Sequence, residues 1–99
     1  MYTVIRRYQE VQNSAEVARR AVEEFAPTLR DQPGFQGYWV VDAGDGVLAT
    51  ITVFDTEEAA SETNAASATW VQENLANLVP SPPRVTSGET TGVMAGVTA

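Results

Sequence analysis

Val47–Phe54 reads VLATITVF, eight consecutive residues without a charge. Successive side chains of a strand point to opposite faces, so a strand formed here would be largely apolar on both faces. One face would carry Val47, Ala49, Ile51 and Val53, and the other Leu48, Thr50, Thr52 and Phe54. Such a strand needs cover on both sides, and this requirement limits the folds that can contain it.

A hairpin is predicted directly before this strand. Residues 43–46 (AGDG) tolerate the left-handed backbone that tight hairpin turns need. Residues 35–42 (FQGYWVVD) are rich in aromatic and β-branched side chains and predict the partner strand. Pro33-Gly34, just upstream, indicates a type II turn, because proline presets the first central φ and glycine takes the positive second one.

The segment before the hairpin predicts one strand and one helix. Tyr2–Tyr8 has the composition of a strand, and Asn13 and Ser14 can cap a helix that follows it. The apolar positions of that helix recur at helical spacing at Ala18, Ala21, Val22, Phe25 and Leu29. Pro27 is expected to kink the helix or to end it near Ala26.

The segment after the hairpin predicts a second helix and a last strand. Asp55 and Thr56 are expected to cap this helix, which should end near Leu78, before a cluster of three prolines within residues 80–83. A weak strand is predicted over residues 84–93, with Gly88 as a bulge. Residues 94–99 are expected to form a loose tail or to extend the last strand onto a partner.

The order strand, helix, strand, strand, helix, strand predicts an α+β fold, the ferredoxin-like βαββαβ sandwich. Two helices then cover one face of a four-stranded antiparallel sheet. We expect a single domain over residues 1–99, with its core in 1–93 and its tail in 94–99. The other sheet face would stay apolar and uncovered, so a second copy is expected to pack on it sheet to sheet about a two-fold axis. This predicts a homodimer of the dimeric α/β-barrel type.

Charge and composition exclude several classes of function. Thirteen Asp and Glu residues face six cationic ones, all arginine, and the net charge of −7 argues against nucleic acids and anionic membranes as partners. The chain has no Cys and no His, which excludes thiolate and Ser-His-Asp catalysis and the common zinc sites. We expect no metal and no cofactor. Without a long apolar run or a signal-peptide core, a cytoplasmic location is expected.

Several short motifs carry a resemblance that extends over nearly the whole chain. They are Arg6-Arg7-Tyr8, Gln32-Pro33-Gly34-Phe35-Gln36-Gly37-Tyr38, Val53-Phe54-Asp55-Thr56, Trp70, and Val85 with Gly88-Glu89. With these motifs the chain resembles the antibiotic biosynthesis monooxygenase-like group of the dimeric α/β-barrel superfamily. That superfamily includes cofactor-free oxygenases, haem-degrading enzymes, isomerase-like enzymes and members without known activity. The histidine that the haem-degrading members use is absent here.

The resemblance implies a ligand site between the helices and the sheet. In the oxygenases of the group, an Asn and a Trp help to hold an electron-rich aromatic substrate for direct reaction with dioxygen. The matching catalytic candidates here are Trp70 with Asn64 or Asn74, and Arg6 could help to hold the substrate anion.

Each candidate also has a purely structural interpretation. Trp70 would fill the core, Asn74 would lie at the edge of an apolar stripe, and Asn64 would face solvent. Arg6 would form an ion pair with Glu89 on a neighbouring strand. Three other aromatic residues would belong to the sheet or to the dimer interface, namely Tyr8, Tyr38 and Trp39.

Two functions therefore stay open. The first is a cofactor-independent oxygenase acting on a small aromatic or polyketide-like ligand, and the second is a non-catalytic small-molecule-binding or accessory dimer. An enclosed pocket with convergent polar groups beside Trp70 would favour the enzyme. A filled core, with Trp70 packed tightly and Arg6 paired to Glu89, would favour the accessory protein.

Overall fold

The computed structural model describes residues 1–94. The strands are β1 (Tyr2–Tyr8), β2 (Phe35–Gly44), β3 (Val47–Phe54) and β4 (Arg84–Glu89). The helices are α1 (Ser14–Arg20), a π-helical turn (Ala21–Phe25), α2 (Ala26–Arg30) and α3 (Glu57–Leu75). The first three helical pieces follow one another without a break, so two helical segments alternate with the strands as the sequence predicts.

The strands form one antiparallel sheet in the order β2-β3-β1-β4. The register places Ile51 of β3 between Trp39 of β2 and Ile5 of β1, and Arg6 of β1 between Thr50 of β3 and Val85 of β4. This order with two helical segments confirms the predicted α+β, ferredoxin-like fold. It also makes β3 and β1 the two central strands.

Two turns follow the predicted backbone chemistry. Asp45 and Gly46 both have positive φ (54° and 76°), which a two-residue hairpin of type I′ requires, and Gly44 pairs with Val47 across it. Gly34 has φ of 83°, as expected for the second central position of a type II turn. The carbonyl of Gly34 accepts a hydrogen bond of 2.7 Å from the backbone N–H of Asp55, which joins this turn to the start of α3.

The first helical segment passes Pro27 instead of ending before it. A π-turn precedes Pro27, and the N–H of Ala26 donates to the carbonyl of Ala21, five residues back. Pro27 then lies in the first turn of α2, where its missing N–H has little effect, and the helix continues to Arg30. The expectation that the helix ends near Ala26 is therefore wrong.

Several other predicted boundaries differ from the structure. The helix α3 ends at Leu75, and a turn follows in which the N–H groups of Leu78 and Val79 both donate to the Leu75 carbonyl. The last strand ends at Glu89 rather than at residue 93. The register at Gly88 is regular, and the irregularities lie in β2 instead, at residues 35–37 and 42–44. Of the predicted tail, residues 94–99, the structure describes only Met94, which is fully exposed and outside any strand, and residues 95–99 lie outside the described part of the chain.

The two faces of the sheet have different surroundings. Leu48, Thr50, Thr52 and Phe54 of β3 are buried beneath the helices, and Phe54 is completely inaccessible to solvent. The opposite face, which we call the open face, carries Ile5, Trp39, Val41 and the half-buried side chains of Val47, Ala49, Ile51 and Val53. Trp39 is 54% exposed there. In residues 1–94, no helix is long and apolar enough to cross a membrane.

Replacing Phe54 with alanine should lower the free energy of unfolding by about 3–5 kcal/mol, because the side chain lies in the core and leaves a cavity. Val22→Ala is the matched control, since this exposed side chain should contribute less than about 0.5 kcal/mol. Urea unfolding followed by circular dichroism measures both. Equal effects of the two substitutions would contradict the assignment of Phe54 to the core.

Candidate functional site

Arg6 is the charged residue that the sheet buries most deeply on its helix-covered side. Strand alternation places Val4, Arg6 and Tyr8 of β1 on that side, and all three are buried. Only 8% of the Arg6 surface is exposed. Burial of a charged side chain is unfavourable unless hydrogen bonds or an opposite charge compensate it, so the surroundings of Arg6 decide what the site can do.

The contacts of Arg6 are polar and not anionic. Its Nη2 donates a hydrogen bond to Oδ1 of Asn64 on α3. Within residues 1–94, no carboxylate oxygen lies within 4 Å of the guanidinium. The predicted ion pair with Glu89 is therefore absent, because Glu89 lies opposite Tyr2 in the register and accepts from the Met1 ammonium at 3.3 Å.

Two tyrosines complete the polar surroundings. Burial lowers the pKa of Arg6, and the phenol groups of Tyr8 and Tyr38 act in the opposite direction. Burial also raises the pKa of Tyr8 and of Tyr38, and the Arg6 charge offsets part of each shift. At neutral pH both phenols therefore keep their protons, and the guanidinium keeps its positive charge. The site presents a buried cation beside two neutral hydroxyl groups.

A small cavity of about 30 Å³ lies between the helices and the sheet. Its polar lining comes from Arg6, Tyr8, Tyr38, Thr50, Thr52 and Ser67, and its apolar lining includes Phe25, Leu48, Trp70 and Leu75. The rings of Phe25 and Trp70 lie 5.1 Å apart between centroids and close one side. The cavity has room for about two water molecules, and it is too small for an aromatic ring.

A larger cleft, of about 370 Å³, adjoins this cavity. It lies between α3 and the segment that leads into β4, and its lining comprises Arg6, Tyr8, Ala68, Val71, Gln72, Ala76, Val79, Pro80, Ser81, Pro82 and Pro83. Arg6 and Tyr8 line both spaces. A cleft of this volume is in the range that binds small organic molecules. Arg6 therefore lies where the cleft and the inner cavity meet.

The structure brings together three of the four catalytic candidates. Arg6 and Trp70 line the cavity, and Asn64, although exposed on α3, accepts the hydrogen bond from Arg6. Asn74 is exposed, and its Nδ2 donates to the Trp70 carbonyl at 2.9 Å. It does not line the cavity or the cleft.

Other lining residues did not stand out in the sequence. Tyr8 and Tyr38 lie in strands of the sheet, and both also line the cavity, whereas Trp39 lies on the open face. The period of two along β1 places Tyr8 on the same face as Arg6 and could have revealed it. Phe25 and Gln72 gave no comparable signal, because their positions depend on how the helices pack on the sheet.

The described part of the chain offers no cluster of metal-binding side chains. Within residues 1–94, no group of three or more Asp and Glu side chains comes together in a way that could hold an ion. Among the described residues, the only charged group that lines the cavity is the Arg6 guanidinium, which repels cations and pairs with anions.

Solved structures with the same architecture are known at low sequence identity. A protein of unknown function from Nitrosomonas europaea, NE2512, superposes with a TM-score of 0.73 at 18% identity, over 98% of this chain and 95% of that one. The ActVA-Orf6 monooxygenase of Streptomyces coelicolor, crystallised with nanaomycin D, gives 0.74 at 16% identity, over 97% and 92%. The chain has the antibiotic biosynthesis monooxygenase-like fold.

A third neighbour with this fold is a candidate antibiotic biosynthesis monooxygenase from Deinococcus radiodurans, with a TM-score of 0.72 at 17% identity, over 99% and 100% of the chains. No protein-family model matches the sequence, and no curated protein matches it either. The predicted resemblance is thus confirmed for the antibiotic biosynthesis monooxygenase-like fold, which positions Arg6 beneath α3.

Because the Arg6 charge has a hydrogen-bond acceptor but no carboxylate partner in residues 1–94, two substitutions should affect stability differently. Arg6→Met keeps much of the apolar stem and removes the buried charge, so the free energy of unfolding should stay within about 1 kcal/mol of wild type or rise. Asn64→Ala removes the hydrogen-bond acceptor and leaves the cation, and should destabilise by about 1–3 kcal/mol. Urea unfolding of both variants provides the measurement. A strongly destabilised Arg6→Met protein would mean that the charge is well compensated in the free protein.

Proposed function

We propose that this protein is a cofactor-independent oxygenase that acts on a small aromatic or polyketide-like molecule, bound as its anion at Arg6. One observation carries the proposal: Arg6 is buried without a carboxylate partner among residues 1–94, and it lines both a cleft of small-molecule size and an inner cavity. A ligand anion would supply the charge that the described part of the chain lacks. Monooxygenases among the proteins of the same fold support the assignment.

The chemistry follows from the effect of the guanidinium on a phenol or an enol. A positive charge beside a bound hydroxyl group favours its ionised form, so the pKa of the ligand falls and a phenolate or enolate forms. The proton passes to water in the open cleft, because both nearby tyrosines are already protonated. Tyr8 lines the same cleft, and in this proposal its hydroxyl group donates a second hydrogen bond to the anion.

The electron-rich anion is then able to react with dioxygen. For a phenol with a free para C–H, one substrate and one dioxygen give one quinone and one water. The C–H bond is broken, a C–O bond forms and the O–O bond is cleaved. The substrate supplies all the electrons, so the balance needs no separate reductant.

Three further residues have distinct roles in this proposal. Asn64 is a positioning residue, since its Oδ1 fixes the guanidinium. Trp70 of α3 and Phe25 of the π-helical turn form an apolar wall of the inner cavity on its helical side. Asn74 would act only indirectly, through its hydrogen bond to the carbonyl of Trp70.

A non-catalytic binding protein is the second candidate, and one observation favours it. Phe25 and Trp70 pack closely, and the cavity beside them holds only about 30 Å³. A substrate ring could not lie against Trp70 without movement of these side chains. In this second case the protein would bind the same anion in the cleft without turnover.

Oxygen uptake in the presence of 1-naphthol separates the two candidates. The oxygenase should consume one dioxygen per quinone formed, with no effect of added chelator, and should not consume oxygen with the methyl ether of 1-naphthol. Arg6→Met should reduce the rate by about 100-fold or more, because it removes the group that stabilises the anion. Arg30→Met, on the exposed end of α2, is the control. Saturable binding of 1-naphthol without oxygen uptake would favour the non-catalytic protein.

We also propose that the protein is a homodimer whose copies pack through their open faces. The centre of this face is apolar in the described residues, with Ile5, Trp39 and Val41 all more than a third exposed. Burial of apolar surface at roughly 25 cal/mol per Å² favours a second copy over water as its neighbour. A cytoplasmic location also remains a prediction from the sequence.

Ile51→Asp tests the proposed interface. Ile51 lies between Ile5 and Trp39 in the register, so a carboxylate there would be buried between the two sheets. Size-exclusion chromatography with light scattering should show a dimer for wild type and a monomer or aggregates for the variant. Val22→Asp, exposed on the helical side, should remain dimeric. An unchanged dimer for Ile51→Asp would contradict this interface.

A further inference from the structure

The six arginines of the chain divide into two groups. Arg19 and Arg20 pair with glutamates of the same helical segment, and Arg30 lies 4.0 Å from Asp31. Arg6, Arg7 and Arg84 have no carboxylate within 4 Å in residues 1–94. The three arginines without an ion pair all lie at one end of the β1 and β4 strands.

The strand register brings the charges of this arginine cluster close together, which is electrostatically unfavourable unless an anion binds there. Arg7 lies directly opposite Arg84 in the antiparallel pair of β1 and β4, and like charges in register repel each other. Arg6 is adjacent in sequence and points to the other face of the sheet. The cluster is locally positive on a chain whose net charge is −7.

The cluster surrounds one short segment of the chain. Ser81 and Pro82 line the cleft that contains Arg6 and Tyr8. The same two residues line a hollow of about 250 Å³ that contains Arg7 and Arg84, together with Gln9 and Glu10. The unpaired arginines therefore lie on both sides of the segment that forms the outer wall of the cleft. Arg7 and Arg84 do not line the cleft itself, but their charges raise the local positive potential beside its outer wall, and this potential attracts anions.

We propose that the cleft between α3 and residues 79–83 is the binding site of an aromatic carboxylate or phenolate, attracted by Arg7 and Arg84 and held at its charged end by Arg6. The flat apolar body of the ligand packs on Ala68, Val71 and Val79 in the cleft. The inner cavity beside Trp70 is too small to take it. This inference rests on the proposed function only in its use of Arg6 as the charge partner, and it does not require turnover.

Amide chemical shifts measured with a matched pair of probes test the site and its charge preference. Titration of the ¹⁵N-labelled protein with 2-naphthoate should shift the signals of Ala68, Gln72 and Ala76, which line the cleft. The neutral 2-naphthamide should bind at least about tenfold more weakly, because it lacks the charge that Arg6 compensates. Equal binding of the two probes, or no saturable shift at these residues, would overturn the proposal.

A second groove on the molecule is an alternative place where 2-naphthoate could bind. Val22, Ala26 and Arg30 line a groove of about 280 Å³ between the first helical segment and β2. Shifts confined to these residues would place the ligand there and would also overturn the proposal.

Two pairs of variants then separate steric from electrostatic effects. Ala68→Trp should obstruct the cleft and weaken 2-naphthoate binding by about tenfold or more, whereas Ala66→Trp, also exposed on α3 and outside the cleft, should leave the binding unchanged.

Arg84→Gln should weaken binding about threefold at low ionic strength, and the difference from wild type should vanish near about 0.5 M salt. Arg30→Gln is the charge-matched control. Equal effects within either pair would contradict the site.

The outcomes also distinguish this inference from the proposed function. Binding in the cleft without oxygen uptake by 1-naphthol would leave the anion site in place and remove the oxygenase. Oxygen uptake that Ala68→Trp does not affect would leave the oxygenase in place and remove the anion site in the cleft, because the substrate would then bind elsewhere.

Discussion

The architecture depends on a strand that is apolar on both faces and lies near the centre of the sheet. One face of β3 is buried under the helices, and the other forms the middle of the open face. The pairing of β1 with β3 then fixes which β1 side chains point toward the helices, and Arg6 is among them. The burial of a positive charge thus follows from the same register that builds the core.

This arrangement connects the fold to its chemistry. A guanidinium beneath α3, with an amide oxygen and neutral phenols around it, is an unfavourable element in the free protein. Such a buried charge can bind an anionic ligand, because the attraction between the two charges is stronger in these surroundings than in water. Arg6 lines both the cleft and the smaller cavity, so a ligand that enters the cleft can contact its side chain.

Much of the fold could be predicted from the sequence, because it depends on local patterns. The alternation in Val47–Phe54, the glycine turns and the helix caps of Asn13 and Thr56 are all present in the structure. The functional site could not be predicted from local patterns to the same extent. An irregularity between Phe35 and Gly37 places both Phe35 and Tyr38 against the core, which simple alternation does not predict. The absence of an Arg6–Glu89 pair depends on register, since Val85 and not Glu89 lies opposite Arg6.

The central claim is that Arg6 stabilises the anionic form of a bound ligand, and the ionisation of bound 1-naphthol tests it most directly. Absorbance spectra of the naphtholate, recorded against pH with saturating protein, give the pKa of the ligand in the site. The account predicts a pKa at least about one unit below that of free 1-naphthol, and loss of this shift in Arg6→Met. A bound pKa equal to or above the free value would contradict it.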